Sequence, residues 1–79
     1  PQVLKNIRVT DKRTAQDDPD VRAAVAEIES KLGDSGRILV RESGTEPVVR
    51  VMVEAETEDI CRGYVDHVLE VIRKKGYAV

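Results

Sequence analysis

Apolar residues recur along this chain with two periods, one that suits strands and one that suits helices. Val3, Ile7 and Val9 fall on one side of an alternating run, which predicts a strand over Val3–Val9. Thr10–Asp17 has no apolar period and reads as a polar connector. Val21, Val25, Ile28 and Leu32 then recur at helical spacing. Asp18-Pro19-Asp20 starts that helix: a capping carboxylate, a residue suited to the first helical position, and an acid that complements the dipole. Gly33 suits its end, and Asp34-Ser35-Gly36 reads as a turn.

Ile38-Leu39-Val40 forms the centre of a second strand, Arg37–Glu42. A third strand spans Val48–Ala55, with Val49, Val51, Val53 and Ala55 on one face and Val48, Arg50, Met52 and Glu54 on the other. The residues between them, 43–47, contain a glycine and mark a hairpin. Pro47 cannot donate to a ladder and belongs at the start or edge of its strand. Thr57-Glu58-Asp59 opens a second helix, whose stripe is Ile60, Tyr64, Val68 and Ile72, widened by Val65 and Leu69. Arg73-Lys74-Lys75 suits its last turn and Gly76 its end. Gly63 inside this helix costs about 1 kcal/mol against alanine, and close packing on the sheet is one reason for it.

The order is strand, helix, strand, strand, helix. It predicts an α+β two-layer sandwich, a mostly antiparallel sheet with two helices on one face. The other sheet face is left open, to meet water or another domain.

Composition narrows the function. Seventy-nine residues (1–79) make a single domain. A net charge of −2 supplies no basic field for nucleic acid, and no apolar run reaches membrane-spanning length. The lone Cys61 rules out an intramolecular disulfide and suits a packed helix residue in a reducing cytoplasm. His67 has no nucleophile or metal partner beside it in sequence and reads as a solvated or packing residue. The chain begins at Pro1, which suits a piece of something longer.

The chemistry concentrates in Arg41-Glu42-Ser43-Gly44-Thr45-Glu46-Pro47, with Arg50 beyond. Arg41 and Arg50 offer planar forks that match phosphate oxygens and keep their charge. Ser43 and Thr45 offer hydroxyls. Gly44 allows a positive φ, so that successive amides form an anion nest. Glu42 and Glu46 oppose an anion; they fit as residues that orient the arginines, or Glu46 as one that meets a ligand hydroxyl or amine. The loop joins two strands, so it is neither a Walker loop nor a dinucleotide fingerprint, both of which open a helix. The same residues also make a plain hairpin turn.

RESGTEPVVRVMVEAE resembles the phosphate-binding segment near the C-terminus of the α-D-phosphohexomutases, and PQVLKNIRV and GRILVRESGTEP extend the likeness upstream. The continuation VVRVMVEAE is most similar to the bacterial branch that acts on glucosamine phosphates. The resemblance implies a four-domain enzyme that interconverts glucosamine 6-phosphate and glucosamine 1-phosphate through a bisphosphate, feeding cell-wall precursors. It implies a phosphoserine, a Mg²⁺-binding loop and a sugar-reading loop on the other three domains, with this one gripping the non-reacting phosphate of the sugar phosphate. Carried over by position, Arg41, Ser43, Gly44 and Thr45 are the phosphate contacts and Arg50 a second cation. No phosphoserine motif and no Asp-x-Asp-x-Asp metal loop occurs here, so the chain is expected to lack catalytic and metal-binding residues and to be inactive alone. A mutase for glucose or mannose phosphates is a second reading, and a non-catalytic α+β ligand-binding or regulatory module a third. An RNA-reading sheet would want aromatics that these strands lack.

Overall fold

The computed structural model describes all of residues 1–79. Its elements are β1 (Gln2–Arg8), α1 (Lys12–Asp17), α2 (Pro19–Leu32), a 3₁₀ turn at Gly33–Ser35, β2 (Arg37–Glu42), β3 (Val48–Glu54) and α3 (Glu58–Lys74). The sheet order is β1-β3-β2, with both pairings antiparallel. Apolar alternation sets which face each strand turns to the core. Ile38 pairs with Val53 and Val40 with Val51, while Ile7 pairs with Val49. These residues are buried and join Val21, Val25, Ile28 and Leu32 of α2 and Cys61, Val65, Val68, Leu69 and Ile72 of α3 in one core. The predicted α+β two-layer sandwich is the fold observed.

Three features differ from expectation. The connector Thr10–Asp17 contains a third helix, α1. Only Ala15 of α1 is buried, so no apolar stripe announced it. Its signal is local: the Asp11 carboxylate accepts from Thr14 N at 3.1 Å. In α3 the buried face includes Cys61, whereas Ile60 is 42% exposed. The helix is therefore rotated toward Cys61, and Ile60 and Tyr64 border a groove against α2. Gly63 lines that groove, and nothing lies within 4 Å of where its Cβ would stand, so close packing does not explain it.

Both predicted caps form. Asp18 Oδ1 accepts from Asp20 N and Val21 N, and Thr57 Oγ1 from Ile60 N. Gly36 is required for another reason: a Cβ there would collide with the Glu54 carbonyl oxygen on the neighbouring strand. The C-terminal tail returns along β1. Val9 bridges Ala78, Thr10 N donates to Tyr77 O, and the Tyr77 hydroxyl donates to Asp18 Oδ2 at 2.7 Å.

Candidate anion site at the β2–β3 hairpin

The register that buries the core also arranges the open face. Across the three strands its rows are Gln2–Glu54–Arg37, Leu4–Met52–Leu39 and Asn6–Arg50–Arg41, followed by Arg8–Val48 nearest the loop. Arg41 and Arg50 are therefore cross-strand partners on one face. Both are exposed, and neither makes an ion pair. Like charges directly opposite on a sheet repel, so this pair is a cost in the absence of an anion. Arg8 extends the cationic strip on β1, one row closer to the loop, and also has no acidic partner. Arg8 alternates with the buried Ile7 and Val9, and the β1–β3 register carries it beside the hairpin.

The two glutamates separate. Glu42 lies on the helix side, where its carboxylate accepts from Arg13 Nε at 2.7 Å and its backbone N donates to Gln16 Oε1 at 2.7 Å. It orients Arg13 rather than Arg41, and its charge is neutralised away from the arginine face. Glu46 is exposed and makes no ion pair.

Within the loop, Ser43 is 4% exposed and its Oγ accepts from Thr45 N at 3.3 Å and Glu46 N at 3.2 Å. Two amides thus already converge on one oxygen. The hydroxyl proton of Ser43 stays available to an acceptor. Gly44 does not have the positive φ expected of it; only Gly33 and Gly76 do. The space around the Gly44 Cβ position is open, so the missing side chain leaves room beside the backbone. Thr45 is exposed. Lys12, which the sequence reading passed over with the rest of α1, donates from Nζ to Ser43 O at 2.6 Å and to Glu46 O at 3.3 Å. All five expected contacts, Arg41, Ser43, Gly44, Thr45 and Arg50, thus belong to one hairpin. The arginines lie on its open face, and the other three residues form its tip.

The chain's carboxylates, thiol and imidazole nowhere gather in threes. The donor set at the hairpin is cationic and amide, which suits an anion and does not suit Mg²⁺. The largest groove, about 400 Å³, lies between α2 and α3 and includes Ile60, Gly63, Tyr64 and His67. No residue of the β2–β3 hairpin lines it. No helix is long and apolar enough to cross a membrane.

A family model described as the phosphoglucomutase/phosphomannomutase C-terminal domain matches residues 4–71. The chain is 70% identical over all 79 residues to a phosphoglucosamine mutase of Lachnospira eligens, covering 18% of that protein. It is 57% identical over 77 residues, 98% of this chain, to a phosphoglucosamine mutase of Lachnoclostridium phytofermentans, covering 17% of it. It therefore spans about a sixth of the length of these curated relatives. Among solved structures, Aspergillus fumigatus N-acetylphosphoglucosamine mutase in complex with GlcNAc-6P and magnesium is similar at a TM-score of 0.77 and 25% identity, over 96% of this chain and 16% of that one.

Proposed function

The chain belongs to the phosphoglucomutase/phosphomannomutase C-terminal domain family, and we propose that it serves a phosphoglucosamine mutase as the domain that grips the non-reacting phosphate. The observation that carries this reading is the Arg41–Arg50 pair, two opposed guanidiniums without an acidic partner at the base of an amide-rich loop. A phosphate dianion between them would turn a repulsive contact into two charge-assisted ones. The names of the relatives supply the sugar class, and the fungal neighbour's GlcNAc-6P complex supplies the chemical precedent.

In this proposal residues 1–79 are one domain of a longer cytoplasmic enzyme. That enzyme interconverts glucosamine 6-phosphate and glucosamine 1-phosphate, and its product feeds cell-wall precursors. Phosphoryl transfer and Mg²⁺ binding belong to its other domains. Arg41 and Arg50 bind and orient the distal phosphate, the Gly44 amide and the Ser43 and Thr45 hydroxyls complete the cradle, and closure of this domain excludes water from the reacting end.

The test is a titration of the ¹⁵N-labelled chain with inorganic phosphate and glucosamine 6-phosphate. A lone phosphate grip is weak, on the order of millimolar. Amide shifts confined to Ser43–Glu46, with side-chain shifts at Arg41 and Arg50, are the expected result. An unresponsive loop at tens of millimolar phosphate would overturn the grip. The isolated chain should show no mutase turnover, and measurable turnover would refute its assignment as a binding domain.

A further inference from the structure

We infer that Lys12 is a positioning residue of the anion site: its ammonium holds the Ser43–Gly44 peptide plane so that the Gly44 N–H is aimed at the ligand. The inference rests on the reading of the hairpin as a phosphate grip and names a part of it that lies outside the hairpin.

The geometry is local. Lys12 Nζ binds Ser43 O at 2.6 Å and Glu46 O at 3.3 Å, so one cation ties both shoulders of the loop to α1. In a trans peptide the C=O and the following N–H point in opposite directions. Fixing the Ser43 carbonyl on Lys12 therefore turns the Gly44 N–H away from α1. That N–H donates to no protein acceptor, unlike the Thr45 and Glu46 amides, which are taken up by Ser43 Oγ. Gly44 is exposed and the position of its missing Cβ is open, so no side chain of its own screens that N–H. Gly44 is the loop residue for which rotating this plane costs least, because no Cβ restricts its backbone. Rotated, the plane would present the Ser43 carbonyl oxygen to the anion and repel it. A glycine gives the anion access, and a fixed ammonium behind it keeps the peptide in the useful orientation.

The rest of α1 supports the same contact. Arg13 binds Glu42 and Gln16 binds the Glu42 amide, while Arg22 Nε holds the Gln16 carbonyl at 2.6 Å. Three of the six side chains of this helix thus reach the end of β2 and the loop, which accounts for a helix with a single buried residue. Lys12 is half-buried, so its head is held rather than swept through solvent.

The experiment compares wild type, Lys12→Met and Lys12→Arg by phosphate titration of the ¹⁵N-labelled chain, with thermal melts of each. Lys12→Met should bind phosphate about tenfold more weakly, the loss expected for a bond to a charged group. Its Gly44 amide should lose its phosphate-induced shift while the Arg41 and Arg50 side chains still respond. Lys12→Arg, which keeps the charge and the donors, should restore most of the affinity and the Gly44 shift. The deficit of Lys12→Met should persist in 1 M salt, where the screening length is about 3 Å and a distant charge no longer matters. A deficit that vanishes in salt, or a normal Gly44 shift in a folded Lys12→Met chain, would overturn the positioning role and leave the phosphate grip standing. No phosphate response in wild type would overturn the grip itself and this inference with it.

Discussion

Replacing Arg41 by glutamine should make the ligand-free chain more stable and the phosphate complex weaker. Arg41 stands directly across from Arg50, and neither makes an ion pair. Facing Cβ atoms in an antiparallel pair are about 5 Å apart, and long side chains splay to ~7 Å at their heads. Two unit charges at that separation repel by about 0.6 kcal/mol in water, and by about 2 kcal/mol at an effective dielectric of ~20. Both side chains are exposed, so the lower figure applies. Glutamine keeps part of the stem and removes the charge. The expected gain of about 0.5 kcal/mol raises Tm by roughly 2–4 °C for a domain of this size. It should appear at low ionic strength and disappear in 1 M NaCl, where screening removes the repulsion. Phosphate affinity should fall roughly 10- to 150-fold, the worth of one charged contact. The assays are thermal melts at two salt concentrations and a phosphate titration of the same samples. Arg50→Gln should act the same way, and the double variant should gain less than the sum, because the first substitution already removes the repulsion. A fall in Tm at low salt, or unchanged phosphate binding, would refute the reasoning.

Further expectations concern the scaffold. Gly36→Ala should destabilise by about 1–3 kcal/mol, because the added Cβ meets the Glu54 carbonyl and β2 must shift; a chemical-denaturation midpoint equal to wild type would contradict this. The Asp18 carboxyl lies below its ordinary value, chiefly through the Tyr77 hydroxyl, with the Asp20 and Val21 amides and Lys75 adding to it. A carboxylate with a depressed folded pKa contributes stability above its unfolded value and loses it as pH falls through the folded one, so the chain should weaken below about pH 4. The Tyr77 hydroxyl is raised by its bond to Asp18, and Lys75 is raised by its bond to Asp20. Their contribution is complete below about pH 10 and lost as pH rises further. Tyr77→Phe should flatten both limbs of the melting profile, and limbs as steep as wild type would show that this cluster does not set them.

The legible part of the molecule is the part with a period. Strands, caps and the α2 stripe were readable because each rests on alternation or on a residue whose side chain satisfies its own helix end, as Asp18 and Thr57 do. The hairpin was readable because its residue types are rare together between two apolar strands. The α1 helix was not, because it is held by polar contacts to distant residues: Lys12 to Ser43, Arg13 to Glu42 and Gln16 to Glu42. Such bonds leave no period in the sequence. For the same reason the role of Lys12 and the fate of Glu42 emerge only when α1 and β2 are seen together. Residue type predicts a positive φ at Gly44, whereas the structure gives it none and leaves open space at its Cβ position.

The arginine pair shows how a core can dictate a site that it does not touch. Residues facing each other on neighbouring strands share a face, so pairing Ile38 with Val53 and Val40 with Val51 forces Arg41 opposite Arg50. A one-residue slip would turn the apolar set of one strand outward, which the core forbids. A two-residue slip keeps both faces and would set Arg41 against Val48 or Met52, leaving the guanidiniums apart. Burial alone does not exclude that slip; the loop does. Ser43 N donates to Val48 O, and Ser43 Oγ holds the Thr45 and Glu46 amides. A shifted hairpin would break the Ser43 N–Val48 O bond and change the loop length that the Ser43 Oγ bonds fit. The apolar alternation therefore selects the face of the arginines, and the polar loop selects their row. Ser43 and Thr45 thus belong both to the bonds that fix the loop and to the proposed phosphate cradle.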